Sequence, residues 1–198
     1  MRTRNEEEHQ LKKTDIMEKC FDCYAEYGLN NAGIKTLAKA CGCTSGSLYT
    51  YFENLDDLII QSTAHCMSKV EEDFMRLAPT DTESLMEYVD KIPYWTAKEH
   101  GKKYRLMYQI YTNPKYIEYG KQFFEGVNER YTKYAKMLES KILIPYEKTL
   151  PLIFILIRAS VHYALFEDEY YLKAQLNVIK DGLKFYIDHY KDKFKDVL

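Results

Sequence analysis

Residues 33–52 read GIKTLAKACGCTSGSLYTYF, and the fold follows from how this stretch is read. Ile34, Leu37, Ala38 and Cys41 recur at helical spacing and give a first short helix one apolar face. Gly42 stands where that helix must stop, since glycine enters the left-handed conformation without a Cβ penalty. Thr44 is then placed as an N-cap whose hydroxyl satisfies a free N–H of a second short helix, ending in Tyr51 and Phe52. Two short helices crossing at so tight a turn form a helix-turn-helix, the second helix of which fits a major groove. In that geometry Thr44, Ser45, Gly46, Ser47, Tyr49 and Thr50 face DNA, and Lys35 meets a phosphate. The small or hydroxylic residues at the helix start let the backbone come close to a phosphate or a base edge. Leu48 and Phe52 are expected in the core instead.

The flanking segments extend the pattern. Ile16, Cys20, Cys23 and Tyr24 form one face of a preceding helix that stops near Gly28, and LYTYF at 48–52 is followed by LDDL at 55–58. In order and spacing, Ile16 to Leu58 resembles throughout the DNA-binding domain of the TetR (tetracycline-repressor-like) family of bacterial transcription regulators. The resemblance implies an all-α protein with an N-terminal three-helix DNA-binding domain, here 9–58, and a C-terminal helical effector-binding and dimerisation domain, 59–198. It also implies a repressor that leaves its operator when a small molecule binds. Three positions depart from the family pattern. Gly33 stands where Thr or Ser usually caps the first helix of the pair, Ser45 where a base is common, and Leu55 where a Lys usually meets a phosphate.

Charge bears on the same point. Residues 1–60 hold seven bases (Arg2, Arg4, Lys12, Lys13, Lys19, Lys35, Lys39) against ten acids, a net of −3 where phosphate neutralisation normally supplies the affinity. From Tyr27 to Phe52, however, there is no acid, only Lys35 and Lys39, so the contact face is locally positive. The whole chain of 198 residues carries −2 and is 46% hydrophobic, enough for a real core.

Beyond the helix-turn-helix the chain reads as helix punctuated by Gly and Pro. Asn54 caps a helix to about Leu77. Thr82 to about His100 follows, kinked or split at Pro93, and then a helix between Gly101 and Asn113-Pro114. The remainder is about 115–141, about 146–166 and about 170–193, about nine helices in all. The segment LPLIFILIRASVHYALF at 150–166 is apolar on nearly every side, which suits a helix packed inward on one face and against a partner on another. The last two helices are therefore expected to form a homodimer, and a two-fold dimer matches a palindromic double-stranded operator.

Tyrosine occurs 19 times, much of it in the middle helices, where the resemblance places an effector cavity. An aromatic lining suits an aromatic or amphipathic small molecule, and Trp95, Tyr104, Tyr108, Phe123 and Phe154 are the candidates, each with core packing as the competing role. Arg158 and His162 lie four apart on one helix face, placed either to hold an anionic effector or, the favoured reading, to pair with a carboxylate such as Glu167 or Glu169. The five cysteines include a CxxC at 20–23 and a CxC at 41–43. Packing as small hydrophobes outweighs redox sensing, and a thiolate metal site is weaker still because the paired-loop form of a zinc knuckle is missing.

No nucleophile-elbow or HExxH pattern occurs, so neither an enzyme, a cofactor nor a metal is expected. The charged start MRTRNEEEHQ is unlike a secretory signal, and the apolar run 150–157 is interrupted by Arg158, which points to a cytoplasmic protein with no membrane partner. The alternative function is a helical ligand-binding or redox-sensing dimer with lost or weak sequence-specific DNA binding.

Overall fold

Capping residues and glycines set the helix boundaries in the computed structural model, which describes residues 2–191, with side chains from 6 to 190. The side chains of Arg2 and Arg4 and the expected helix end at Lys193 lie outside these. Eight helices occur among the described residues, with no strand: α1 (Arg2–Tyr27), α2 (Ile34–Ala40), α3 (Ser45–Leu48), α4 (Leu55–Arg76), α5 (Thr82–Tyr111), α6 (Ile117–Ile142), α7 (Tyr146–Phe166) and α8 (Glu169–Lys191). Asn54 caps α4 as expected, its Oδ1 accepting the Asp57 N–H at 2.9 Å. Asp168 caps α8 in the same way through the Tyr171 N–H.

Eight rather than nine helices result because α5 runs unbroken through both Pro93 and Gly101. Proline in a helix interior costs about 3 kcal/mol and glycine about 1 kcal/mol. The helix survives because Ile92, Pro93, Thr96 and His100 are all buried, so packing supports the segment that propensity opposes. At Gly101 a Cβ would lie only 3.5 Å from the Ala164 carbonyl of α7.

The chain divides into two compact units, residues 1–71 with 105–121, and 72–104 with 122–198. The first thus contains more than the expected 9–58. One long helix and two short ones cannot enclose a core, and α4 supplies Leu58, Ile59, Cys66, Met67 and Val70, while 105–121 supplies Leu106, Met107, Ile110 and Tyr116, all buried. Polar links fasten the same elements. Glu18 of α1 holds His65 at 3.1 Å and Lys69 at 2.6 Å on α4; Lys69 first and His65 second keep its carboxyl below the usual range. Asp56 accepts from Lys115 at 2.6 Å and from the Tyr116 hydroxyl at 2.5 Å.

In the second unit one apolar cluster gathers Phe74, Leu85, Val89, Tyr134, Leu138, Ile153, Leu156, Leu176 and Ile179 from α4 to α8. Helices α7 and α8, joined by only Glu167 and Asp168, fold back along each other. By length and composition α7 could cross a bilayer. Here it buries Ile153, Leu156, Ala159, Val161 and Ala164 inside the unit, the inward-packing half of what its all-round apolarity suggested.

Where α5 passes to α6 the backbone itself is in contact. A Cβ on Gly120 would stand 2.8 Å from the Tyr111 Cβ and 2.9 Å from its carbonyl oxygen, neither of which can swing away. Gly120→Ala is therefore expected to destabilise the first unit by about 1–3 kcal/mol through overpacking, despite alanine's better helix propensity. Urea denaturation followed by far-ultraviolet dichroism measures it, and an equal or higher midpoint would show that the contact relaxes freely.

Candidate nucleic-acid interface and effector cavity

The turn between α2 and α3 is built as its residues dictate. Gly42 has φ +62°, its N–H donates to the Lys39 carbonyl at 3.1 Å, and the Cys43 N–H donates to the Ala38 carbonyl at 2.9 Å. This is the paired Schellman closure that needs a left-handed residue at its centre. Thr44 then caps α3, Oγ1 accepting the Ser47 N–H at 3.1 Å. Formal α-helix ends at Leu48, but the Tyr51 and Phe52 N–H groups both donate to the Leu48 carbonyl, so the turn continues to Phe52. Leu48 and Phe52 are buried, as are Ile16, Cys20, Cys23, Tyr24 and Leu37, which together seat the two short helices.

The residues expected to face DNA occupy one outer surface but differ in what they can offer. Tyr49 stands out of α3 with 51% exposure, and Lys35 and Lys39 are exposed on α2. Thr44 and Thr50 are exposed, Gly46 is exposed, and Ser45 and Ser47 are half-buried. Three of the hydroxyls already have local work: those of Thr44 and Ser47 lie 2.8 Å apart, and that of Thr50 donates to the Ser47 carbonyl at 2.7 Å. Oxygen lone pairs remain on each, so they can still accept, whereas their protons are partly committed. Tyr51 stacks on His9 of α1 at 4.6 Å, and Lys13 lies over the Phe52 ring at 5.2 Å. Lys12 and Lys19 both contact Asp15, at 3.2 and 2.8 Å, which leaves them less charge to give to phosphates.

Within the second unit an open apolar cavity of about 340 Å³ lies between the end of α4 and the first half of α5, lined by Leu77, Pro79, Tyr88, Lys91, Ile92 and Trp95 among others. Adjoining it, a partly enclosed apolar pocket of about 30 Å³, room for about one water, is lined by Phe74, Tyr88, Tyr134, Leu138, Leu152 and Leu156 among others. Tyr88 and Pro79 line both. The Tyr88 hydroxyl donates to the Phe74 carbonyl at 3.4 Å, and burial, then the Tyr134 phenol, pushes its pKa far up. Burial pushes the Tyr134 phenol up to about 12. Both are neutral donors at physiological pH.

Of the expected effector residues only Trp95 lines either cavity. Tyr104 is buried, Phe154 packs edge-on to Tyr131 at 6.4 Å, and Phe123 packs against Phe124 at 5.5 Å. Tyr108 falls in the first unit. Arg158 is exposed and lies over the Phe124 ring at 5.4 Å. His162 stands 3.7 Å from the Asp168 carboxylate, rather than Glu167 or Glu169, and contacts the Tyr171 ring. Tyr134 and Leu152 escaped notice in the sequence because nothing distinguishes a pocket-lining apolar residue from a core one at helical spacing. Among the described residues no cluster of three or more metal-ligating side chains occurs.

Residues 16–61 match the family of bacterial regulatory proteins described as tetR. Solved structures share the fold: a TetR transcription regulator from Haloarcula marismortui (TM-score 0.65, 14% identity, 89% of this chain and 98% of that one); the Thermus thermophilus repressor FadR in complex with lauroyl-CoA (0.54, 16%, 86% and 92%); and the multidrug binding protein EbrR complexed with malachite green (0.56, 17%, 86% and 96%). No curated protein matches.

Against Trp95, its ring centroid 4.9 Å away, lies His100, buried with neither ring nitrogen hydrogen-bonded among the described residues and with Asp73 3.6 Å from Nε2. Burial first, then Lys103, depresses its pKa. A histidine harder to protonate folded than unfolded makes the unfolded chain bind more protons below about pH 6.5, so stability falls as pH drops through that point towards the folded pKa. His100→Gln is expected to flatten the pH dependence of unfolding between about pH 7 and 5. Identical slopes for variant and parent in denaturant titrations would show that His100 protonates freely in the folded protein.

Proposed function

With residues 16–61 placing the chain among the TetR-family DNA-binding regulators of transcription, we propose that it is a cytoplasmic homodimeric repressor, released from its operator by an apolar or amphipathic small molecule. The observation that carries the reading is the acid-free face from 27 to 52, with a capped, core-seated α3 presenting Tyr49 outward. Exposed apolar side chains on α7 and α8 support the dimer: Phe166, Val178 and Phe185 are well exposed and Tyr170 is 87% exposed, more apolar surface than a lone helix pair keeps in water. A partner's α7 and α8 would cover them in a four-helix arrangement with two-fold symmetry.

For the effector, the open cavity reaches the lower end of the volumes small ligands occupy. Aromatic walls from Tyr88 and Trp95 with Lys91 at the rim suit a molecule with an apolar body and one polar end. That two neighbours of this fold are complexed with lauroyl-CoA and malachite green agrees with so general a class. Such a ligand reaching the inner pocket must displace Tyr88 and with it the bond to the Phe74 carbonyl in the last turns of α4. The other end of α4 is held by Asp56, so α4 is the element through which occupancy would alter the recognition helices.

The charge deficit of residues 1–60 and the local engagement of Thr44, Ser47 and Thr50 favour the second reading, a ligand-binding dimer with weak DNA specificity. Fluorescence-anisotropy titration with the DNA flanking its own gene separates the two. Tyr49→Ala should weaken binding by about tenfold or more, with dichroism and dimer mass unchanged; unaltered affinity in a folded variant would remove Tyr49 from the interface. Repeating the titration at several salt concentrations should give a logarithmic slope well short of about −10, because Lys35 and Lys39 are the main exposed cations of the contact face. A slope that steep would mean that the principal phosphate contacts lie elsewhere.

A further inference from the structure

The cysteines pair in a way neither sequence motif suggests. Cys20 of α1 and Cys41 at the end of α2 bring their Sγ atoms to 3.5 Å, across 21 residues of chain, while the CxxC and CxC partners Cys23 and Cys43 are not the ones in hydrogen-bonding contact. Cys41 Sγ also reaches the Ile16 carbonyl at 3.9 Å. All five cysteines are free thiols. A disulfide needs its sulfurs at about 2.05 Å, so the two side chains must rotate and α2 must approach α1 for the bond to close.

We propose that Cys20 and Cys41 are an oxidisable dithiol site, converted by a hydroperoxide into a reversible disulfide that shifts the end of α2 and weakens DNA binding. Either sulfur can attack first. With Cys41 attacking, the Cys20 contact and nearby Lys19 favour its thiolate while burial opposes it. The Cys41 thiolate displaces an alkoxide or hydroxide from the peroxide O–O bond, forming a sulfenic acid. Cys20 then attacks that sulfur, and the proton from its thiol leaves with the hydroxyl as water. In total two thiols lose two electrons and two protons, and the hydroperoxide is reduced to water and an alcohol, or to two waters.

Cys20 is fully buried and Cys41 3% exposed, so the oxidant must meet an opened form. Opening is built into the unit: α2 has seven residues and α3 four, both too short to persist without tertiary support, so local unfolding of 33–52 costs less than that of α1. Closure of the bond then acts where the DNA-reading surface begins. Cys41 is the C-cap of α2, directly before the Gly42 turn and the Thr44 cap, so a displacement of its sulfur is passed through three residues into α3.

The thiol-pair assignment is independent of the proposed repressor function; only the effect on affinity rests on it. The full-length reduced protein is treated with hydrogen peroxide under native conditions, alkylated and digested without reductant. The expected result is a loss of about 2 Da and a cross-linked pair of peptides containing Cys20 and Cys41, reversed by dithiothreitol, absent from Cys20→Ala and Cys41→Ala, and retained in Cys23→Ala and Cys43→Ala. Operator affinity of the same samples should fall about tenfold or more on oxidation and return on reduction. Linkage through Cys23 or Cys43, oxidation only to sulfinic or sulfonic acid, or reaction only in denaturant overturns the site, and a Cys20–Cys41 bond with unchanged affinity overturns the switch. If the reduced protein binds no DNA, the repressor reading fails, while the peptide map on wild-type protein still decides the site.

Discussion

A helix of four residues cannot hold its own shape, and the geometry of residues 33–52 depends on one that does. Forming a first turn costs more conformational entropy than its hydrogen bond returns, so α3 exists because Leu48 and Phe52 are seated in the core made by Ile16, Cys20, Tyr24 and Leu37. The same seating fixes which way Tyr49 points, because the next residue on a helical turn is rotated by about 100°, which carries Tyr49 off the buried face of Leu48. The Gly42 closure and Thr44 cap set the angle between the two helices, and burial of Leu48 and Phe52 holds it.

Part of the acidic balance of residues 1–60 becomes intelligible in three dimensions. Glu18 ties α1 to α4, Asp56 ties α4 to Lys115 and Tyr116, and Asp57 accepts from the Glu53 N–H and from Gln61. Surface ion pairs such as Lys12–Asp15 add little to stability, but they neutralise bases that would otherwise face phosphates. The exposed bases of residues 27–52 are Lys35 and Lys39 on α2, beside the polar α3 and the exposed Tyr49 that follows it.

The second unit joins two demands on the same helices. Helices α7 and α8 line one side of the smaller pocket through Leu152, Leu156, Ile179 and Leu183 and leave Tyr170, Val178 and Phe185 outside. Tyr88 lines both cavities, with its hydroxyl on the Phe74 carbonyl of α4.

The sequence by itself determined the elements whose cause is local. Gly42 ends α2, Thr44 caps α3 and Asn54 caps α4 because each bond closes over three or four residues, and the 3.6-residue period alone placed Ile16, Cys20, Tyr24, Leu37, Leu48 and Phe52 inside. Tertiary structure overruled local preference in α5, where Pro93 and Gly101 read as breaks but burial of Ile92, Thr96 and His100 keeps one helix. It alone decided that Cys20 meets Cys41 rather than Cys23, that Asp168 rather than its neighbours meets His162, and that Tyr88 and Tyr134 share a pocket while Phe154 and Arg158 do not line it. Spacing along one helix fixes which residues share a face, whereas convergence of faces from different helices depends on how each is rotated and packed, and that is settled only when the whole core closes.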